Sequence, residues 1–129
     1  MFEAIVLAAV LSQSKTPEPP AYNPPSGQLE YAACVSIRES NGDPRAVSPT
    51  GKYRGRYQFS EALKDGATWM MLDWLETWHP HPKKYAAYLR SIPMNKWPAR
   101  VQDAAFFETL NNDGLWSGRA HWAGGRWPC

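Results

Sequence analysis

The sequence has little net charge, no long apolar run and few cysteines, and each shortage excludes something. Its 129 residues carry 14 basic and 12 acidic side chains, for a net charge of +2. A nucleic-acid binder concentrates basic residues into a footprint, usually within a recognisable motif. Neither is present, so no nucleic-acid partner is expected. The longest apolar run, Ala4–Leu11, is far shorter than the roughly 20 residues a helix needs to cross a bilayer, so no membrane span is expected. The three histidines, His79, His81 and His121, do not combine with Cys129 in any standard zinc-finger spacing. No metal and no cofactor are expected. There are no internal repeats.

What is present fits one folded domain preceded by an arm. The chain is 43% hydrophobic and carries seven tryptophans, which serve a core or a sugar cleft equally well. Residues 1–14 form an apolar segment that resembles a signal h-region, with Ser12-Gln13-Ser14 as a small-residue cleavage site. No basic residue precedes the run and Glu3 does, so a short helix docking on a partner protein is the equal alternative. Residues 15–26 hold five prolines and read as a semi-rigid linker. The domain proper is expected over 27–129.

Ser26 is suited to cap a helix over Gly27–Ser40, which Asn41-Gly42 would end. Cys34 on that helix and Cys129, the last residue, read as a staple for the C-terminus and imply an oxidising compartment; two free buried thiols are the alternative. Gly51–Phe59 alternates, with Tyr53, Gly55, Tyr57 and Phe59 on one side and Lys52, Arg54, Arg56 and Gln58 on the other. That predicts a short strand or hairpin arm, with Gly55 marking a close approach of a ligand or backbone. Further helices are expected over Ser60–Leu63, Trp69–Trp78, Lys83–Ile92 and Pro98–Leu110. The fold class is therefore α+β, mostly helical with one short β-hairpin.

Glu39 stands at the C-terminal end of the first helix, on a face shared with Ala32, Val35 and Ser36. The negative end of the helix dipole and apolar surroundings both disfavour an ionised carboxylate. Arg38 opposes this only if it points the same way, and adjacent helix positions do not face each other. A carboxyl kept protonated is a general acid, as glycoside cleavage requires. Most glycosidases need a second carboxylate, yet residues 45–60 contain no Asp or Glu. Asp43, Glu61 and Asp65 are the nearest in sequence. A mechanism in which the substrate supplies its own nucleophile fits that gap. On spacing alone, a solvated helix-end glutamate is the competing reading.

The stretch "RESNGDPRAVSPTGKYRGRYQF", residues 38–59, resembles lysozyme-like lytic transglycosylases. It is closer still to the resuscitation-promoting-factor-type domains of actinobacteria and their phages. The matching elements are Glu39-Ser40, Pro44-Arg45-Ala46-Val47-Ser48, and Gly51-Lys52-Tyr53-Arg54-Gly55-Arg56-Tyr57-Gln58-Phe59. Trp127-Pro128-Cys129 and Gln102-Asp103 are similar to the family's later segments. Cys34 departs from the pattern, standing five residues before the glutamate rather than next to it, and residues 66–96 match nothing in it.

The resemblance implies a small lysozyme-like domain that cleaves the MurNAc-β-1,4-GlcNAc bond of peptidoglycan. Glu39 would be the general acid/base, and Gln58, Tyr53 and Tyr57 would line the glycan subsites, with Gln102 a further candidate. Lys52, Arg54 and Arg56 form either a face attractive to acidic stem peptides or an ordinary solvated strand face. Ser40 either touches substrate or satisfies helix-end carbonyls. The expected partners are glycan strands, with other virion or wall-associated proteins engaged through residues 1–26. The expected setting is extracellular or a phage virion. A non-catalytic glycan-binding or structural virion protein is the rival reading.

Overall fold

A computed structural model describes residues 17–112, 118–124 and 127–129. The apolar segment 1–14 and Trp116 lie outside the described residues. In chain order the elements are α1 (Gln28–Ser40), β1 (Tyr53–Arg54), β2 (Phe59–Ser60), α2 (Glu61–Met70), α3 (Leu72–Glu76), α4 (Pro82–Ser91) and α5 (Ala99–Leu110). Short 3-10 turns occupy Met94–Lys96 and Gly118–Trp122. The described chain is thus a mostly helical α+β unit with one two-stranded antiparallel hairpin.

Helix α5 is the centre of the core. Val101, Ala104, Ala105, Phe106, Phe107 and Leu110 are all buried along it, as expected of a helix covered on nearly every side. Pro98 stands just before its first turn and supplies the carbonyl that accepts from Val101 and Gln102 N–H. Helix α2 packs on α5 and α4, and β2 packs on α2. Ser60 caps α2 by accepting from Leu63 N–H at 3.2 Å, so the helix runs on to Met70 rather than stopping at Leu63. Met71, with φ −95° and ψ 8°, breaks what the hydrophobic spacing made one helix over Trp69–Trp78. Pro82 opens α4, and Ile92 leaves it in an extended conformation ahead of Pro93.

One expectation about the N-terminal side is corrected. Ser26 does not cap α1. Gly27 holds the position at φ 84°, and Gln28 N–H reaches Pro25 O at 3.2 Å. The proline-rich stretch, from residue 17 onward, lies as a strap across α5. Tyr22 stacks on Phe107 with ring centroids 5.2 Å apart and donates its hydroxyl to Glu108 at 3.1 Å. Arg100 donates to Pro19 O at 2.9 Å. Gln28 and Asn111 exchange side-chain amide hydrogen bonds at 2.6 and 2.8 Å. The prolines limit the freedom this docking must remove.

Cys34 and Cys129 are disulfide-bonded, with Cα atoms 5.8 Å apart and a sequence separation of 95. Closing so long a loop stabilises a domain by about 2–4 kcal/mol. No helix among the described residues is long and apolar enough to cross a membrane.

Candidate functional site

Helix α1 ends as the sequence suggested. Asn41 and Gly42 take φ 55° and 77°, and Gly42 N–H folds back onto Ser36 O at 3.1 Å. This reversal leaves Glu39 on the last turn, with its side chain 26% exposed. Ser40 ties the helix end to the hairpin. Its hydroxyl donates to Arg56 O in the hairpin turn at 2.7 Å and lies 3.2 Å from Ser36 O in the last turn of the helix.

The hairpin departs from the alternating pattern. Only Tyr53↔Ser60 and Arg54↔Phe59 pair; residues 55–58 form a tight turn in which Gly55 has φ 86° and Gln58 φ 56°. Gln58 is unusual there for a residue with a Cβ. Its own side-chain amide steadies the turn by donating to Gly55 O at 3.0 Å. The loop after Glu39 lies alongside β1: Ser48 N–H bonds to Tyr53 O at 2.8 Å, and Gly55 N–H to Ala46 O at 2.8 Å. The end of α1 at Ser40, the loop and the hairpin thus form one frame.

The residues grouped together by sequence separate into two environments. Tyr53 and Arg54 line a groove of about 330 Å³ with Lys52, Phe59, Ser60, Glu61 and Met94. Tyr53 is 48% exposed, and Arg54 is aimed by a 3.1 Å bond to Asn95 Oδ1. A second groove of about 600 Å³ lies between Pro44-Arg45 and residues 95–99. Tyr57, by contrast, is buried and stacked on Phe106 with centroids 4.2 Å apart, its hydroxyl donating to Asp103 at 2.7 Å. Burial, reinforced by the Asp103 carboxylate, drives its phenol pKa well upward. Arg56 does not join Lys52 and Arg54 on a solvated face. It pairs with Asp103 at 2.9 Å and donates to Gly42 O at 3.2 Å.

Gln102 is fully buried, and its amide is consumed by the frame. Oε1 accepts from Arg56 N–H at 2.8 Å, and Nε2 contacts the carbonyls of Pro44, Met94 and Trp97 at 2.9–3.1 Å. A Cβ on Gly55 would stand 2.6 Å from that Oε1. The close approach marked by Gly55 is therefore to Gln102, not to a ligand.

Sequence reasoning missed Arg38. Its side chain is 1% exposed, and its guanidinium donates to Trp122 O at 2.7 Å and Trp127 O at 3.0 Å while lying 3.8 Å from Glu39 Oε1. The long side chain curls round to meet its neighbour although the two Cβ positions diverge. The signal was available: Arg38 is four residues after Cys34 and shares its face, so a staple at Cys34 brings the tail over Arg38. Trp122 is buried core, and its indole donates to Tyr57 O at 2.9 Å.

The other carboxylates near the frame have partners. Asp43 accepts from Arg45 N–H at 2.9 Å. Glu61 and Asp65 face the buried ammonium of Lys64 at 2.6 and 3.4 Å. Among the histidines, His79 stacks on Tyr85, and its Nδ1 accepts from His81 N–H at 2.9 Å. No group of three or more potential metal ligands is found among the described residues. No family model, curated protein or solved structure matches the chain.

Proposed function

We propose that the protein is a peptidoglycan-cleaving glycosidase of the lytic transglycosylase type, with Glu39 as its single catalytic carboxyl. The observation that carries this reading is the placement of Glu39. It is partly open to solvent on the last turn of α1, one residue before Ser40, which bonds the hairpin, and Arg38 is its one ion-pair partner among the described residues, while Asp43, Asp103, Glu61 and Asp65 are each engaged elsewhere. Protonated Glu39 would give its proton to the glycosidic oxygen as the bond to the MurNAc anomeric carbon breaks. The C6 hydroxyl of the same sugar would attack that carbon, and the carboxylate would then take the hydroxyl proton, closing a 1,6-anhydro ring. No second carboxylate is required. Tyr53, Arg54 and Gln58 are the side chains suited to contact glycan. Tyr57, Ser40 and Gln102 serve the frame. The disulfide accords with an extracellular or virion-borne setting, and residues 1–26 would engage wall or virion partners.

A non-catalytic glycan-binding or virion protein is the second reading. The ion pair between Arg38 and Glu39 favours it, because that contact is by itself a structural use for the carboxylate. Mass analysis of fragments released from purified peptidoglycan separates the two. Anhydro-ended fragments that vanish with Glu39→Gln are expected. Hydrated ends would demand a water-activating group, and no fragments from folded protein on several wall types would leave the binding reading.

A further inference from the structure

We infer that Arg38 is a positioning residue for Glu39, and that the disulfide-tethered C-terminal tail holds it in place. The inference rests on the reading of Glu39 as the reacting acid. A guanidinium has five N–H donors and never loses its charge inside a protein, so burying one calls for fixed acceptors. The tail provides the acceptors, the backbone carbonyls of Trp122 and Trp127, and Glu39 provides the nearest carboxylate. Arg38 Nε has no partner among the described residues. The orientation of the fork therefore depends on those two carbonyls and on Glu39.

The carbonyls are held from two sides. Trp122 is fastened to the hairpin through its indole bond to Tyr57 O. Trp127 is two residues from Cys129, whose sulfur is bonded to Cys34 one helical turn before Arg38. The tail thus crosses a single face of α1 and grips it at Cys34 and Arg38. The hairpin, the tail and the guanidinium form a closed circuit ending at the carboxyl of Glu39. Without the tail, Arg38 loses its acceptors and Glu39 loses the charge that stands 3.8 Å from its Oε1. Loss of alignment at a reacting group lowers turnover far more than substrate affinity.

The test compares wild type, Arg38→Met and Cys129→Ser, each checked for folding by thermal melting. The carbon-13 carboxyl resonance of Glu39, assigned by its absence in Glu39→Gln, is followed beside that of exposed Glu61. The expected result is a Glu39 resonance that moves in both variants while Glu61 stays fixed. On peptidoglycan, kcat should fall about tenfold or more, with KM kept within about twofold. An unmoved Glu39 resonance in either folded variant, or a rise in KM with kcat intact, overturns the inference. If wild type releases no fragments, the enzyme reading has failed by itself, and the resonance alone decides whether Arg38 and the tail position Glu39.

Discussion

Tyr53 and Tyr57 lie four residues apart on one hairpin, yet the first is 48% exposed on a groove and the second is 4% exposed against Phe106. The same division runs through the glutamines. Gln102 is fully buried with its amide spent on four backbone groups, whereas Gln58 is half-buried on the turn and spends one donor on Gly55 O. The inner side of the hairpin is a bolted frame and the outer side is an open surface. A residue pattern that looks like one site therefore contains two kinds of residue: those that hold the site's shape and those free to meet a ligand.

The largest effect should come from the bolt. Gln102→Ala leaves Arg56 N–H without its acceptor and takes the amide donor from the carbonyls of Pro44 and Trp97, while Met94 O keeps Trp97 N–H. It should cost about 3 kcal/mol or more, lowering Tm by about 10 °C. A loss below about 1 kcal/mol would erase the distinction between frame and surface.

Tyr22→Ala tests whether the strap belongs to the frame. It removes the stack on Phe107 and the bond to Glu108, so denaturant unfolding should show a loss of about 1–2 kcal/mol. A free linker would show none.

Glu108 extends that test to pH. Burial, with Asp73 adding to it, raises its carboxyl above the usual value of 4.5, against the opposing pull of the Tyr22 hydroxyl. A carboxyl raised in the folded state contributes stability that is full below about 4.5 and lost as pH rises through its folded pKa. Glu108→Gln, which keeps an acceptor for Tyr22, should therefore be more stable than wild type at neutral pH and equal to it below pH 4.5. Melting curves at both pH values check the sign.

The smallest effect on stability belongs to the open side. Tyr53→Ala should change stability by no more than about 0.5 kcal/mol. It should instead raise KM for glycan several-fold in a fragment-release assay.

Much of the frame was legible from local signals. Asn41-Gly42 stops α1, Pro82 opens α4, and Pro98 precedes α5, each for a backbone reason that acts within a few residues. The hairpin was legible as a hairpin, but its alternation was not. Two left-handed residues, Gly55 and Gln58, curl the chain into a turn and put Tyr57 inside for a different reason than period two. The fate of Gln102 was hidden because its partners, Pro44 and Arg56, lie 58 and 46 residues away in sequence. Spacing along one helix carries no record of such distant partners. Arg38 was hidden only in part, since the paired cysteines implied a tail over its face. Glu39 stood out because, beyond Asp43 in the turn, residues 45–60 contain no carboxylate.

The most direct test of the account is the release of soluble fragments from purified peptidoglycan by wild type and Glu39→Gln side by side, with melting curves showing both folded. The account predicts release by wild type and a loss of at least about a hundredfold in the variant. Equal release by both proteins would contradict it, because the carboxyl of Glu39 would then have no part in the chemistry.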